Sequence, residues 1–293
     1  MAFLSHLING VSLGSIYAII ALGYTMVYGI AKMLNFAHGD VIMIGSYVSF
    51  FTVAYLQIPP VLSIPLAMLV CTVLGVSIER MAYKPLRRAA SLAVLITAIG
   101  VSYFLQNAAQ LLWTSNPKVF SSIAGNTSFS LFGGGVSISL TAIITVAANI
   151  IIMVVLTWFT GGTRMGKAMR ACSEDKDAAR LMGINVDFTI SVTFAIGAVL
   201  AAVAGVLLCS MYPMLTPTTG AMPGIKAFTA AVFGGIGSIP GAMLGGICLG
   251  VIEILGKAYI STQLSDAIVF IVLIIILLVK PTGLLGRRIQ EKV

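Results

Sequence analysis

The residues of this chain that could do chemistry are concentrated in one polar interval, residues 161–187, with the sequence GGTRMGKAMRACSEDKDAARLMGINVD. The rest of the chain is almost wholly apolar. The sequence shows no nucleophile with a paired base and no zinc-binding motif. We therefore predict that the chain is not an enzyme and that this interval makes ionic and apolar contacts with another protein.

The polar interval carries the start and stop signals of a short helix. Ser173 is predicted to be the N-cap, because a serine hydroxyl accepts hydrogen bonds from the first free backbone N–H groups. Arg180 lies in the last turn and Gly183 marks the end. The first turn also carries three carboxylates, Glu174, Asp175 and Asp177.

The same helix is predicted to be amphipathic. Helical spacing gathers four apolar residues along one side, namely Ala178, Ala179, Leu181 and Met182. Such a helix would lie across the membrane surface with a side free to dock on a partner. The alternative is that the interval is only a solvated loop between two membrane spans.

The composition excludes a soluble domain. Of 293 residues, 59% are hydrophobic and only 9% are charged, and the mean hydropathy is +1.06, so there is too little polar surface to cover a water-soluble fold. Apolar stretches of about 17 to 25 residues without in–out alternation favour membrane-spanning helices over a barrel. The predicted fold is an all-α, polytopic transmembrane helical bundle forming one domain, residues 1–293.

The distribution of basic residues predicts the orientation. Thirteen of the 17 Lys and Arg residues lie in three short intervals, 79–91, 161–187 and 280–293. Clusters that flank apolar spans follow the positive-inside rule, which places these intervals and the C-terminus, with Arg287 and Arg288, in the cytoplasm. Because the net charge of +8 is explained in this way, nucleic acid is not predicted as a partner.

Membrane lipid is a predicted partner of the first basic interval. Arg87 and Arg88 are expected to meet anionic lipid, and Glu79 can pair locally with Arg80. About eight spans are counted, or nine if the glycine-rich region near the C-terminal end crosses twice. The side of the N-terminus therefore stays open.

Two broken or re-entrant segments are predicted, near residues 31–40 and 224–241. The first, AKMLNFAHGD, places Asn35, His38, Gly39 and Asp40 between two spans. It is either a wet turn at the membrane interface or a re-entrant element of a transport pathway, and a metal site is less favoured than either. The second is crowded with glycines, including Gly234, Gly235 and Gly237, which disfavour an unbroken helix.

Two charged residues lie within or beside the glycine-rich region. Lys226 and Glu253 are interpreted as a structural ion pair or as residues at the membrane interface, and the alternative is that they are substrate ligands in a transport pathway. In the fourth span, Gln106 and Asn107 are interpreted as polar contacts between helices rather than as ligands. No metal or other cofactor is predicted for this chain.

Five stretches together resemble one protein family. They are INGVSLGSIYAIIALGYTMVYGI (8–30), LNFAHGDVIMIGSY (34–47), ERMAYKPLR (79–87), GKAMRACSEDKDAARLMGIN (166–185) and KAFTAAVFGGIGSIPGAMLGG (226–246). In this order they resemble the H-type permease subunit of bacterial high-affinity branched-chain amino acid ABC transporters. Residues 177–183 also resemble the Glu-Ala-Ala-x-x-x-Gly coupling loop of ABC importer permeases, with Asp177 in place of the Glu.

The resemblance implies roles for matching residues. A coupling loop to an ATPase would include Arg164, Gly166, Arg170, Ala178, Ala179 and Gly183. Asn35, His38 and Gly39 would belong to the first interrupted segment, and Gly234, Gly235 and Gly237 to the second. The resemblance identifies no residue that holds the amino acid.

The resemblance also implies partners and a location. The chain would be a multi-pass protein of the bacterial inner membrane that pairs with a second, related permease and with two cytoplasmic ATPase subunits, which bind ATP and Mg. A periplasmic binding protein would deliver leucine, isoleucine or valine. Related permeases move urea or short amides, which is one alternative. A stand-alone ion-coupled transporter is another, although no cluster of membrane carboxylates is apparent beyond Glu253 and Asp266.

Overall fold

A computed structural model describes residues 2–87, 89–125, 127–131 and 136–286. Arg88, Arg287 and Arg288, for which lipid contact or a cytoplasmic position is predicted, lie outside the described residues. The described helices are α1 (Ala2–Ala31), α2 (His38–Ala54), α3 (Pro60–Ile78), α4 (Ser91–Trp113), α5 (Leu140–Gly162), α6 (Arg164–Glu174), α7 (Lys176–Leu181), α8 (Val186–Met211), α9 (Ala221–Gly234), α10 (Ile239–Tyr259) and α11 (Ser265–Val279).

Strands are a minor part of the described fold. β1 (Lys118–Val119) pairs antiparallel with β4 (Met214–Leu215), and β2 (Ser128–Leu131) pairs antiparallel with β3 (Val136–Ser139). A π-helical turn, Glu79–Tyr83, and a 3-10 turn, Lys84–Leu86, continue the chain beyond α3. The prediction of an all-α helical bundle is confirmed.

Helix α1 forms the centre of the bundle. Ile16, Ile19, Ile20 and Leu22 are fully buried. On one side α1 packs closely against α10, since a Cβ added at Gly14 would lie 2.7 Å from the Cα of Ile247. A glycine at this contact lets the two backbones approach, as small residues do between membrane helices.

Six of the described helices are long and apolar enough to cross a membrane. They are Ala2–Ala31, Pro60–Leu86 (α3 with its two turns), Ser91–Trp113, Leu140–Gly162, Val186–Met211 and Ile239–Tyr259. The outer helices α4 and α5 expose large apolar side chains, such as Leu111 and Ile151, as lipid-facing helices do. The shorter helices α2, α9 and α11 complete the bundle, and α11 is also apolar.

The two ends of the bundle can be told apart by their charges. We call the end that carries Lys84, Arg87 and residues 163–185 the basic end, and the other the far end. α1 finishes at the basic end, where the Lys176 side chain bonds to Ala31, and it begins at the far end, where His6 packs on Tyr259.

The described residues after α11 return to the basic end. The amides of Leu284 and Leu285 donate to the carbonyls of Phe233 and Gly234. The α9–α10 turn that they contact lies beside the end of α1, since a Cβ at Gly29 would be 3.4 Å from Gly237. The described chain therefore begins at the far end of the bundle and finishes at the basic end.

Two local predictions for the first basic interval are wrong. The buried carboxylate of Glu79 does not pair with Arg80 but accepts hydrogen bonds from Arg87 and from Ser191 on α8. Arg87 does not face lipid, because it contacts both Glu79 and Asp187 and its side chain is only 11% exposed. Breaking the buried ion pair of Glu79 and Arg87 would leave an unpaired buried charge, and that cost outweighs the attraction of Arg87 to lipid.

Candidate functional site

The polar interval carries two helices, of which only the second, α7, corresponds to the predicted docking helix. α6 begins at Arg164, where the hydroxyl of Thr163 accepts from the amide of Gly166 (3.0 Å), and it buries Met169 and Cys172 against the bundle. The separate helix α7 follows one residue after α6 ends. The sequence prediction treated only the second half of this interval as helical.

The residue that caps α7 is Asp175 and not Ser173, so that prediction is wrong. Asp175 Oδ1 accepts hydrogen bonds from the amides of Asp177 (2.8 Å) and Ala178 (3.0 Å). Ser173 lies in the last turn of α6, where its hydroxyl donates to the carbonyl of Arg170 (2.7 Å). The bonds from the amides of Ala178 and Asp177 lower the pKa of the Asp175 carboxyl.

Helix α7 presents an apolar surface to its surroundings. Ala178, Leu181 and Met182 are exposed, and the exposed fractions of Leu181 and Met182 are 89% and 82%. Ala179 was predicted to share this side but is buried against the bundle. A short helix with one small residue inward and two long apolar side chains outward can dock on a second protein.

The end of α7 is a hydrogen-bonded turn. Gly183 has φ of +83°, its amide donates to the carbonyl of Arg180, and the amide of Ile184 donates to the carbonyl of Ala179. This pair of bonds is the Schellman motif. The next residue, Asn185, caps α8 by accepting from the amide of Phe188 (3.0 Å). A displacement of α7 would therefore reach α8 through only a few ordered residues.

The predicted basic members of the loop differ in their contacts. Arg164 is exposed at the start of α6. Arg170 is exposed and donates to the carbonyl of Gly161 (3.2 Å). Arg180 pairs with Asp177 (3.3 Å), but both side chains are largely in solvent, so this pair contributes little to stability. Gly166 lies against the backbone of Thr160, where a side chain would not fit.

The first interrupted segment enters the interior of the bundle. Residues 32–37 leave the end of α1 and carry the chain back inward, so that His38 packs on the ring of Tyr24 with centroids 4.7 Å apart. Asn35 accepts a hydrogen bond from the hydroxyl of Tyr83 (2.9 Å). Because Asn35 and His38 are both buried, the re-entrant alternative is favoured over the wet turn.

Two further residues of this segment contact distant helices. Gly39 lies against the backbone of Gly220, just before α9. The buried carboxylate of Asp40 accepts from Gln106 on α4 (2.9 Å), which confirms the interpretation of Gln106 as a contact between helices. Asn107 is exposed and, among the described residues, bonds within α4 to the carbonyl of Tyr103, so the same interpretation is wrong for Asn107 within this chain.

The second interruption is the turn between α9 and α10. Gly234 ends α9, and Gly235 and Gly237 have φ of +105° and +96°, which L-residues with side chains rarely adopt. This turn lies at the basic end, whereas the first interruption reaches the interior, so the two segments do not form one site in the described structure.

Lys226 and Glu253 form an ion pair, as one of the interpretations predicted. Lys226 Nζ lies 2.8 Å from Glu253 Oε1 and 2.6 Å from Asp266 Oδ1. Glu253 also accepts from Lys257 (2.6 Å) and from the hydroxyl of Tyr17 (2.8 Å). This far-end cluster of five residues joins α1, α9, α10 and α11. Its two carboxylates and two ammonium groups balance in charge.

Some residues that make these connections were not singled out from the sequence. The sequence analysis assigned no role to Lys176, whose Nζ donates to the carbonyl of Ala31, or to Asp187. Asp175 could have been found, since Asp is as good an N-cap as Ser. Within the described ranges, no group of three or more His, Cys, Asp or Glu side chains could hold a metal ion.

Comparisons with known proteins identify the family. A model of the family described as "Branched-chain amino acid transport system / permease component" matches residues 6–277. The high-affinity branched-chain amino acid transport system permease protein LivH of Salmonella typhimurium is 49% identical, covering 99% of this chain and 98% of the relative. The permease protein BraD of Pseudomonas aeruginosa has the same identity and coverage.

A solved chain of PsaBC from Streptococcus pneumoniae, in complex with Fab, covers 95% of this chain and 91% of its own length, with 14% identity and a TM-score of 0.46. That likeness is too low to decide the fold. The family match and the near-complete alignment with LivH and BraD are decisive. The chain belongs to the family of permease components of branched-chain amino acid transport systems.

Proposed function

We propose that this chain is a permease subunit of an ATP-driven importer that carries leucine, isoleucine and valine across the bacterial inner membrane. The observation that carries the proposal is the 49% identity with permease proteins of high-affinity branched-chain amino acid transport systems over 99% of the chain. Its partners would be a second, related permease, two ATPase subunits that bind ATP and Mg, and a soluble binding protein.

The exposed apolar surface of α7 supports an ATPase as the partner of the polar loop. Leu181 and Met182 project from the basic end, and basic ends of membrane proteins face the cytoplasm. We therefore propose that α7 docks in a groove of one ATPase and that the C-terminus is cytoplasmic. Arg164 and Arg170 on α6 would add ionic contacts at the edge of this interface.

The proposed mechanism is alternating access driven from the loop. Closing of the ATPase pair on ATP would move α7, and the hydrogen-bonded turn at Gly183 would pass that movement to α8. Rigid-body movement of helices around a fixed site is a general way to open a pathway first to one side and then to the other. Two interrupted segments are proposed to change conformation when the pathway opens. The first carries Asn35, His38 and Gly39, and the second carries Gly234, Gly235 and Gly237.

The charge balance of the far-end cluster makes Glu253 and Asp266 poor candidates for the ion relay of a stand-alone transporter. Proton or sodium relays use carboxylates that can be left without a cation. Here Glu253 and Asp266 both lie within 3 Å of a lysine Nζ. No described contact favours urea or short amides. Urea is therefore included as a competitor of leucine uptake in the experiment.

The test is uptake by the complete complex in proteoliposomes. With binding protein outside and ATP at the ATPase side, labelled leucine should accumulate, and unlabelled valine and isoleucine should compete, whereas excess urea should not. Uptake that this chain performs alone, without nucleotide, would overturn the proposal. Competition by urea with no competition by valine would overturn the substrate assignment.

A further inference from the structure

A polar network joins α3 to α8 at the basic end. The carboxylate of Glu79 is fully buried and accepts hydrogen bonds from Arg87 and from the hydroxyl of Ser191 (2.7 Å). The other terminal nitrogen of Arg87 donates to Oδ1 of Asp187. Lys84 Nζ lies 3.0 Å from Asp187 Oδ2. We call these five residues the α3–α8 clamp.

Asp187 belongs to the clamp and also lies close to the docking helix α7. It lies at the start of α8, two residues after the N-cap Asn185, and it pairs with Lys84 of the 3-10 turn and with Arg87, which follows that turn. Arg180 of α7 approaches it to 3.9 Å. The segment that a partner would move and the end of α3 therefore meet at one carboxylate.

The composition of the clamp is costly for a purely structural contact. Burying Glu79 demands a cation and a second donor, and apolar residues of the same size would hold two helices together as well or better. The clamp also lies where α3 widens into a π-helical turn, Glu79–Tyr83, and such turns occur frequently at functional sites.

We propose that Asp187 is a positioning residue for transport: through the α3–α8 clamp it makes α3 and α8 move as one body when α7 moves. The proposal rests on the proposed function. The chain itself passes movement of α7 to α8 through the turn at Gly183 and the cap at Asn185. Within the bundle α3 packs directly on α8, for example at Gly75 and Ala198, whereas beside α7 the cations that follow α3 reach the start of α8 through Asp187.

The first test is the Asp187→Asn variant of the complete complex in proteoliposomes. Asn has the same shape but no charge, and the side chain of Asp187 is 45% exposed, so the buried Glu79–Arg87 pair and the fold should be kept. We expect the number of leucine molecules taken up per ATP hydrolysed to fall by about tenfold, within the usual range of coupling between sites, while hydrolysis continues.

Two further variants separate positioning from charge loss and from folding. Glu174→Gln removes one exposed carboxylate from the end of α6, in the same loop, and should leave the ratio unchanged. Asp187→Glu keeps the charge and should retain most of the ratio. If Asp187→Asn lowers the melting temperature and the yield of the complex but leaves the ratio unchanged, the role is only structural and the proposal is overturned.

A second measurement does not depend on the substrate. Met81 and Phe188 are exposed and lie on the turn after α3 and at the start of α8. Spin labels on the Met81→Cys, Phe188→Cys chain should show the same distance with and without ATP in the assembled complex. After Asp187→Asn, ATP should shift or broaden that distance.

The two measurements distinguish failure of the clamp proposal from failure of the proposed function. An unchanged distance in the Asp187→Asn complex with ATP overturns the clamp proposal. A complex that hydrolyses ATP but takes up no leucine overturns the proposed substrate, and the labels still decide whether α3 and α8 move together. The chain's own cysteines should react little with the spin label, since Cys71, Cys172 and Cys209 are buried and Cys248 is partly buried.

Discussion

The Nζ atom of Lys176 donates a hydrogen bond of 2.8 Å to the main-chain carbonyl oxygen of Ala31, the last residue of α1. The last carbonyls of a helix have no partner within the helix, and a cation at that end is favoured. Burial, and then the nearby positive charge of Arg87, lower the pKa of Lys176. The docking helix α7 is thus tied directly to the central helix, just before the first interrupted segment.

We predict that Lys176→Met weakens the coupling of ATP hydrolysis to uptake. Met keeps the length and apolar part of the side chain but cannot donate to Ala31, so α1 loses its tie to α7. Uptake per ATP should fall several-fold in proteoliposomes. Lys118→Met removes a lysine charge at the far end, outside the docking loop, and is the control. Equal effects of the two substitutions would contradict the prediction.

The cap of α7 should depend on the carboxylate of Asp175. Asp175→Ala removes the acceptor of two backbone amides, so hydrogen exchange at Asp177 and Ala178 should become several-fold faster at pH 7. Asp175→Asn keeps an acceptor and should exchange nearly as the unsubstituted chain does. Faster exchange throughout the loop in both variants would show that the loop, and not the cap, had changed.

The same cap should be sensitive to acid in a defined direction. Because the pKa of Asp175 is lowered in the folded chain, its contribution is complete above the pKa of an unfolded Asp, about 3.9, and is lost as the pH falls through the lower folded value. Protection of the Ala178 amide, corrected for intrinsic exchange, should decrease in this range. In Asp175→Asn the decrease should be absent.

Replacement of Gly183 should loosen the turn between α7 and α8. A φ of +83° is in the left-handed region, which costs a residue with a side chain about 1–2 kcal/mol. Gly183→Val should therefore lower uptake per ATP while the transmembrane helices stay folded, as judged by circular dichroism. Gly161→Ala, at a position with open space around it, serves as the control and should behave as the unsubstituted chain.

The far-end cluster should stabilise the fold through one of its two lysines. Lys226→Met leaves the buried carboxylate of Glu253 without its buried cation, which typically costs about 3–5 kcal/mol. Lys257→Met should cost much less, because Lys257 is 33% exposed and Lys226 remains. Thermal unfolding in detergent measures both. If Lys257→Met lowers the melting temperature more than Lys226→Met does, Lys226 is not the main cation of Glu253.

The close contact of the first interrupted segment with the approach to α9 should not tolerate a methyl group. At Gly39 a Cβ would lie 2.6 Å from the carbonyl oxygen of Gly220, so Gly39→Ala should destabilise the chain by about 1–3 kcal/mol. Gly100→Ala, in α4 with no atom within 4 Å, should be neutral or slightly stabilising. The melting temperatures of the two variants in detergent give the comparison.

Much of the fold follows from local sequence. Apolar stretches of membrane length leave the backbone no choice but a helix, which is why the all-α bundle was predicted correctly. The helix end at Gly183 was also predicted correctly, because a glycine after an apolar turn is a local signal. The start of α7 was not, because Ser173 and Asp175 are both good caps. The choice between them depends on α6, which buries Met169 and Cys172 and extends to Glu174.

The sequence by itself determined that this chain is a membrane-embedded helical bundle with one long polar loop, and its family. Only the tertiary structure decided the partners of the polar residues: Lys176 with Ala31, Arg87 with Asp187 and Lys226 with Asp266. The physical reason is that helix formation and membrane burial depend on neighbours within a few turns. An ion pair between helices depends on which faces meet, and that is set by the packing of the whole bundle.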